Sequence, residues 1–331
     1  MEKTFKIGIL GCGNIANTMA RTISDLGAPY SLHAVASRSR EKAEAFKEKY
    51  NAKLAYSSYK ELCQDDEIDL VYIATITSEH KNHMMMALES GRNVLSEKAF
   101  TVNRREAEEV FALAEKKGLY AAEAIWTRYM PFRKTLLDYM KKIGKASSIS
   151  ASLGYKVEQK ERIMRPELGG GAMLDLGVYP INFALMALED EKITEVSGLS
   201  YNNDLGADIT DTLLFKTESG VCVSITADSR TNSDRKAQIY GEYGYIETDN
   251  VNNPSRLDLY LFDNRSAVLD ASKTFSHLSS GFEYEVAEAR DMIEKGKTES
   301  ISMPKSTTLS VLSLMDRARE IYGVKLGYEI T

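Results

Sequence analysis

A glycine-rich turn near the start of the chain is the first place where chemistry can be predicted. Residues 7–16 read IGILGCGNIA, and the stretch from Gly11 to Ala16 fits the pattern G-x-G-x-x-G/A. The first glycine of this pattern permits a tight turn, and the second lets backbone approach a pyrophosphate. The helix that follows offers free N–H groups and the positive end of its dipole. We therefore predict a dinucleotide site that includes Gly11, Gly13, Asn14 and Ile15.

The residues after the second predicted strand bear on which dinucleotide binds. Residues 36–40 read ASRSR, and the first carboxylate after them is Glu41. An NAD enzyme tends to place a carboxylate here for the ribose hydroxyls, whereas Ser37 and Arg38 can bind a 2′-phosphate. The alternative is that Arg38 and Arg40 are solvated residues at the start of a helix. The pattern favours NADP, with NAD still possible.

A lysine directly after the fifth predicted strand is the candidate for the reacting end of the cofactor. Ligands of doubly wound sheets bind at the carboxyl ends of the strands. There the fifth strand leads into Glu97 and Lys98, and the fourth into Thr75 and His80. The Lys98 ammonium could donate to a substrate oxygen, whereas the alternative is an exposed lysine in a turn. Thr75 and His80 could line the ribose or nicotinamide, while nearby hydroxyls could simply cap the next helix.

A third candidate segment, GGGAMLDLGVYP, spans residues 169–180. Its glycines predict a flexible turn before a helix. If residues 175–179 are helical, Asp175 and Tyr179 share one face. The phenol could relay a proton from a substrate hydroxyl, and the carboxylate could orient the substrate. The alternative is that Tyr179 is a core residue that hydrogen-bonds Asp175.

The bulk composition excludes several classes of function. The chain has 331 residues, of which 43% are hydrophobic, and a formal net charge of −6. This acidity argues against general nucleic-acid binding, and no apolar run is long enough for a membrane span. The start of the chain lacks a signal-peptide pattern, and three scattered cysteines indicate reduced thiols, so we expect a cytoplasmic protein. The histidines and cysteines lack metal-ligand spacing, so we expect no metal.

The order of predicted elements indicates two domains. Strands and helices alternate through the first 120 residues, which predicts a Rossmann-type doubly wound parallel sheet. After about residue 145, short alternating segments predict an open, mostly antiparallel sheet. We therefore expect a dinucleotide-binding domain over residues 1–122 and an α+β domain for substrate binding and dimerisation over residues 123–331.

The motifs together resemble the Gfo/Idh/MocA oxidoreductases, and within them the branch of dimeric dihydrodiol dehydrogenases and NADP-linked D-xylose dehydrogenases. The resemblance runs nearly end to end. It rests on GCGNIA, the Glu97-Lys98 pair, EAIWTRYMP at residues 123–131, GGGAMLDLGVYP, and YEVAEARDMIEKGK at residues 284–297. This branch has tyrosine at the position of Tyr179, where many other members have histidine.

The resemblance implies roles for residues in both domains. It implies that Lys98 is the catalytic lysine with Glu97 beside the cofactor, and that Asp175 and Tyr179 act at the nicotinamide. Trp126 and Arg128 fall in a segment that lines the nicotinamide and substrate region in relatives.

We accordingly predict an NADP-dependent oxidoreductase, a homodimer through its C-terminal sheet, that acts on a secondary alcohol, lactol or vicinal diol of a sugar or cyclic diol. One alternative is a non-catalytic dinucleotide- or sugar-binding regulator on the same fold. Another is an imine or biliverdin-type reductase.

Overall fold

The computed structural model describes residues 3–189 and 191–326, and these form two compact units. The first unit contains the residues up to Tyr129 together with His277–Leu309. The second contains Met130–Ser276 together with the residues from Ser310 onward. The predicted division into residues 1–122 and 123–331 is therefore too simple, because the segment His277–Leu309 belongs to the first unit.

The first unit is built on a parallel sheet with the Rossmann strand order. Its six strands within the described residues are arranged as β3-β2-β1-β4-β5-β6. The strands are β1 (Phe5–Leu10), β2 (Tyr30–Ala36), β3 (Leu54–Tyr56), β4 (Leu70–Ile73), β5 (Asn93–Glu97) and β6 (Ala121–Ala124). The connecting helices are α1 (Asn14–Leu26), α2 (Arg40–Tyr50), α3 (Tyr59–Gln64), α4 (His80–Glu89) and α5 (Arg104–Lys117).

The second unit holds the larger sheet. Within the described residues it has eight strands in the order β14-β13-β12-β11-β7-β10-β9-β8, and every neighbouring pair is antiparallel except β7 with β10. The helices of this part are α6 (Phe132–Ile143), α7 (Glu161–Met164) and α8 (Val178–Ala187). The strands are β7 (Ala146–Gly154), β8 (Ile193–Asn202), β9 (Asp208–Thr217), β10 (Cys222–Asp228), β11 (Ala237–Gly241), β12 (Gly244–Thr248), β13 (Arg256–Asp263) and β14 (Ser266–Thr274). Both predicted sheets are thus confirmed.

The returning segment completes the first unit. It contains α9 (Glu283–Glu294), and α10 (Lys305–Tyr322) begins near its end. The Ala121 N–H of β6 donates to the Thr298 carbonyl at 3.1 Å, and the Ser280 and Thr22 hydroxyls lie 2.6 Å apart. These contacts attach the segment to the edge strand and to the helix that follows the glycine turn.

Local sequence explains where these elements lie and which faces they bury. All four residues of β4 are buried, as expected for a strand covered on both faces, whereas β9 alternates between buried and exposed positions along much of its length. The Ser39 hydroxyl caps α2, the Asn103 carboxamide caps α5, and Gly118 ends α5 in a left-handed conformation. None of the described helices combines the length and the apolar character that a membrane span requires.

Candidate functional site

The glycine turn between β1 and α1 has the geometry that a dinucleotide requires. Gly11 has a φ of 104°, and a Cβ there would lie 2.6 Å from the Ala74 carbonyl oxygen at the end of β4. At Gly13 a Cβ would meet no atom within 4 Å, so this position borders open space. The first turn of α1 carries no acidic residue, and no side chain caps its start. Its free N–H groups are therefore suited to a phosphate.

The end of β2 presents the two residues expected at the adenosine 2′ position. Ser37 is buried, and its hydroxyl accepts the Ser39 N–H at 3.3 Å. Arg38 is exposed and lies near the Tyr59 phenol, whose pKa burial raises and the guanidinium lowers. The serine is therefore held in place by the chain, while the exposed guanidinium of Arg38 forms a hydrogen bond with the Tyr59 phenol.

Lys98 is the one accessible residue in a buried stretch of the first unit. Every residue from 94 to 103 is buried except Lys98, which is half-buried. The Glu97 carboxylate accepts the Lys98 N–H at 3.2 Å and the Tyr72 hydroxyl. The Lys98–Ala99 peptide bond is cis. Of residues 94–103, only Lys98 has a side chain that reaches the surface.

The buried His80 side chain contacts the loop that carries Lys98. Its Nδ1 lies 2.9 Å from the Ala99 carbonyl oxygen, and its Nε2 lies 3.2 Å from that of Thr75. Burial lowers the pKa of His80 to about 4, so the ring is neutral and has one N–H. We assign that proton to Nδ1, the nitrogen with the shorter contact, which donates to Ala99. The structure shows His80 bracing the Lys98 loop, and a contact with the cofactor stays a prediction.

A buried carboxyl group, Glu123, lies behind Lys98. It accepts the Phe100 N–H at 3.0 Å and the Thr308 hydroxyl at 3.2 Å. Burial raises the pKa of Glu123 to about 7, against the opposing influence of these hydrogen bonds and of the Arg128 and Lys98 charges. Arg128 is only 2% exposed, and its charge acts on the buried Glu123 carboxyl group. The cofactor contact of Arg128 stays a prediction. Sequence reasoning assigned no role to Glu123, although it begins the EAIWTRYMP motif.

Trp126 forms part of a wall in the first unit. Its indole packs edge-on against the Phe282 ring, with centroids 5.2 Å apart. A Cβ at Gly281 would lie 2.5 Å from the indole, so only glycine fits there. Trp126 is itself buried, and its predicted role at the nicotinamide stays a prediction.

Helix α9 adds a second buried acid near the Lys98 loop. Glu285 is fully buried, and among the described residues neither of its carboxyl oxygens has a hydrogen-bond partner. Burial, followed by the charges of Glu97 and Glu283, raises the pKa of Glu285 well above its ordinary value. Glu285 is therefore a neutral acid behind Glu97, a feature that its sequence position alone does not reveal.

In the second unit, Asp175 and Tyr179 are the accessible residues of another buried stretch. Every residue from 169 to 187 is buried except these two, which are half-buried. A π-helical turn over Met173–Gly177 carries Asp175, and α8 follows directly with Tyr179 in its first turn. Such turns occur frequently at functional sites. Both residues thus lie in helical segments, as predicted, but Asp175 lies in a π-helical turn and not in an α-helix.

Arg162 orients the Asp175 carboxylate. The guanidinium donates two hydrogen bonds, at 2.8 Å to Oδ1 and at 3.3 Å to Oδ2. A bidentate pair fixes the plane of the carboxylate as well as its position. The glycines before this segment do not form a flexible turn. A Cβ at Gly170 would lie between 2.5 and 2.7 Å from the carbonyl oxygens of Arg162, Ile163 and Arg165, so the turn is packed tightly.

One cluster in the described residues has possible metal ligands close together. It consists of His33, Asp65 and Glu67, whose ligand atoms lie within 4.8 Å of one another. Its members already pair with other side chains. The Glu67 carboxylate binds Lys53 and Lys6, whose hydrogen bonds lower its pKa to about 2, and Asp65 accepts the Tyr56 hydroxyl at 3.1 Å. We describe the cluster as an ion-pair network at the edge of the first sheet.

Two family models match the parts of the chain that carry these sites. The model of an oxidoreductase family with an NAD-binding Rossmann fold matches residues 5–124, and the GFO/IDH/MocA C-terminal domain model matches residues 139–247. The chain belongs to the Gfo/Idh/MocA oxidoreductase family. An NAD(P)-binding Rossmann unit followed by a largely antiparallel sheet unit is therefore its established architecture.

Curated members of the family resemble the chain over nearly its whole length. The trans-1,2-dihydrobenzene-1,2-diol dehydrogenase of Xenopus laevis is 30% identical, over 96% of this chain and 98% of the relative. The enzyme of the same name from Mus musculus is also 30% identical, over 96% of each chain.

Solved structures share the fold. One is a 3-ketoreductase from Actinomadura kijaniata in complex with NADP and TDP-benzene, with a TM-score of 0.84, 24% identity and coverage of 96% of this chain and 98% of the other. Another is an aldose-aldose oxidoreductase from Caulobacter crescentus complexed with glycerol, with a TM-score of 0.86, 17% identity and coverage of 97% and 98%.

Proposed function

We propose that this oxidoreductase uses NADP to oxidise or reduce a secondary alcohol, lactol or vicinal diol of a sugar or cyclic diol. The observation that carries the proposal is the pattern of exposure. Two otherwise buried stretches leave accessible only Lys98 in one unit and Asp175 with Tyr179 in the other. The dihydrodiol dehydrogenases among the relatives support the substrate class.

The accessible side chains supply the proton chemistry of this reaction. NADP, held by the glycine turn, Ser37 and Arg38, would supply the acceptor for the hydride that leaves the substrate carbon. The Tyr179 phenol then receives the hydroxyl proton and passes it to solvent, while the Lys98 ammonium donates a hydrogen bond to the substrate oxygen. Asp175, held in one plane by Arg162, orients the substrate through its carboxylate. In the reverse direction Tyr179 returns the proton to the oxygen.

Lys98→Met and Tyr179→Phe test these roles. We expect each to lower kcat about 100-fold or more, because a positioned acid or base contributes at least that much, while the Kd for NADP stays within about twofold. Lys273→Met and Tyr243→Phe, at exposed positions of the second sheet unit, are the matched controls. Unchanged turnover in Lys98→Met would reject the catalytic role. Tight NADP binding without turnover of any sugar or diol by the wild type would favour the regulatory alternative.

The preference for NADP over NAD rests on Ser37 and Arg38. Arg38 is exposed at the end of β2, and no Asp or Glu lies between residues 30 and 40. We expect Arg38→Ala to raise the KM for NADP at least about tenfold and to leave the KM for NAD nearly unchanged, because only NADP has the 2′-phosphate. A wild-type enzyme with a lower KM for NAD would contradict this assignment.

We also propose that two copies associate through the outer face of the second sheet. Leu199, Leu214 and Tyr240 are 80%, 45% and 36% exposed on neighbouring or nearby strands of this sheet. A groove on the same sheet is lined by Leu214 and Tyr240 together with the small side chains of Ser148 and Ser224. Exposed apolar surface of this kind is typical of interaction sites. Sedimentation should give a dimer for the wild type and a smaller species for Leu214→Glu.

The cysteines are consistent with a reducing compartment. Cys12, Cys63 and Cys222 are all free thiols. We propose a cytoplasmic location on this basis.

A further inference from the structure

An aspartate on strand β9 caps the segment that carries Asp175 and Tyr179. The Asp208 carboxylate accepts the Met173 N–H at 2.6 Å, from a position 35 residues away in the sequence. Met173 begins the π-helical turn, and the preceding residue, Ala172, has no side chain that could cap it. The first N–H groups of a helix need acceptors when they are buried, so Asp208 supplies the acceptor that the local sequence lacks.

Gly171 makes room for this cap. Its φ is 117°, and a Cβ there would lie 2.1 Å from Asp208 Oδ1. Any other residue at this position would displace the carboxylate. The glycine and the aspartate therefore form one arrangement, in which a side chain from the sheet fills the space that a Cβ would need.

A second aspartate on the same strand lies beside the cap. Asp211 is fully buried, and its carboxyl group lies close enough to the Asp208 carboxyl and the Ser200 hydroxyl to form hydrogen bonds with them. Burial, followed by the Asp208 carboxylate, raises the pKa of Asp211 to about 10. Two adjacent buried carboxylates cannot both ionise without strong repulsion, so one of them holds a proton. The hydrogen bond from Met173 favours the charge on Asp208, and the proton then resides on Asp211.

Among the described residues, the groups with the largest influence on Asp211 include no cation. From the surrounding strands Asp211 faces the Asp228 carboxylate on β10 and the Ser200 hydroxyl on β8. From α10 it faces the Tyr322 phenol, whose pKa is raised by burial and by the charges of Asp211 and Asp208. Each of these titratable neighbours is itself an acid. A neutral Asp211 therefore lets Asp208 remain ionised at low cost.

We propose that Asp208 and Asp211 are a positioning pair: ionised Asp208 caps the turn that carries Asp175 and the helix that carries Tyr179, and neutral Asp211 preserves that charge. The expected effect of the pair on turnover rests on the proposed function, because it requires Asp175 and Tyr179 to take part in the reaction. The cap itself is a property of the second unit and can be measured without any substrate.

Two variants and a control test the pair. We expect Asp208→Asn to lower kcat at least about tenfold, since the acceptor of the Met173 N–H loses its charge and the hydrogen bond is weakened, and to leave the KM for NADP within about twofold. Hydrogen exchange at the Met173 amide should accelerate at least about tenfold. Asp211→Asn keeps a neutral side chain of the same shape, so it should retain wild-type turnover and exchange at neutral pH. Asp258→Asn, a buried aspartate on β13, is the control and should leave both readouts unchanged.

The pH profile separates this role from a merely structural one. The wild-type kcat should decline as rising pH ionises Asp211, and Asp211→Asn should lack that decline. A loss of turnover in Asp211→Asn at neutral pH, or unchanged Met173 exchange in Asp208→Asn, would overturn the pair. If Asp208→Asn fails to fold, Asp211→Asn alone decides between these outcomes. Failure of the proposed function would appear as absent wild-type turnover, and the exchange measurements would still test the cap.

Discussion

The buried carboxyl of Glu123 should make the stability of the protein depend on pH in an unusual direction. Its pKa rises from the ordinary 4.5 to about 7 in the folded protein. The folded state therefore holds a proton between these values that the unfolded state has released, and the free energy of unfolding falls as pH increases through this window. At about 1.4 kcal/mol per pKa unit, the loss is about 3 kcal/mol and is complete above pH 7.

Glu123→Gln isolates this contribution. The amide oxygen can still accept the hydrogen bonds from Phe100 and Thr308, but the side chain has no proton to release. We expect the free energy of unfolding of the variant, minus that of the wild type, to rise by about 3 kcal/mol between pH 4.5 and pH 7. Urea denaturation of both proteins at a series of pH values measures this difference, and the other titrating groups cancel.

The same measurement shows how the reasoning could fail. A difference that stays constant across the window would mean that the pKa of Glu123 is not raised in the folded protein, as would be the case if Arg128 and Lys98 held the carboxylate ionised throughout. Glu48→Gln is the matched control, because Glu48 is exposed on α2 and its charge lies in water in both states.

Further predictions concern the glycine turn, the Lys98 loop and the sheet surface. Gly11→Ala should destabilise the protein by about 1–3 kcal/mol in thermal or urea unfolding, because the new Cβ meets the Ala74 carbonyl at 2.6 Å in a left-handed backbone. Gly13→Ala should unfold like the wild type but bind NADP at least about tenfold more weakly, since its methyl group enters open space where the phosphates would lie; equal affinity measured by calorimetry would contradict this. His80→Leu should lower kcat more than it raises the KM for NADP, because it removes the bond to Ala99 that braces the loop, and an unchanged kcat would show that the brace is dispensable.

The fold was predictable where hydrophobic pattern and turn chemistry agree. The largely apolar strands β1 and β4 and the glycine-ended helix α5 lie where the sequence predicts them, because burial on both faces leaves a clear signal. Strands β8, β12 and β14 and helices α3, α6, α7 and α10 were not predicted. β14 is exposed along nearly its whole length, so it lacks the alternation that identifies a half-buried strand.

The site was predictable only as far as its reactive side chains. Lys98, Asp175 and Tyr179 follow from motifs, but their supporting residues depend on contacts between distant parts of the chain. Asp208 is one example, since no local pattern shows that it caps Met173. The glycine motif was also misleading in one respect, because the turn at Gly169–Gly171 was expected to be flexible and is instead tightly packed at Gly170 and Gly171. The sequence shows where a glycine lacks a Cβ, but it does not show that Asp208 Oδ1 lies in that space at Gly171 or that carbonyl oxygens lie there at Gly170.

The return of residues 277–309 to the first unit has a consequence for how the protein is made. During translation the ribosome releases the six strands of the Rossmann sheet first, yet the Ala121 N–H finds its acceptor only when Thr298 emerges, and Glu123 gains Thr308 later still. Most of the second unit is therefore synthesised before the first unit is complete. During this time the edge strand β6 lacks its partner segment, and an unpaired edge strand can pair with the wrong chain segment. The first unit therefore cannot complete its contacts at β6 until residue 298 of the 331 has been synthesised.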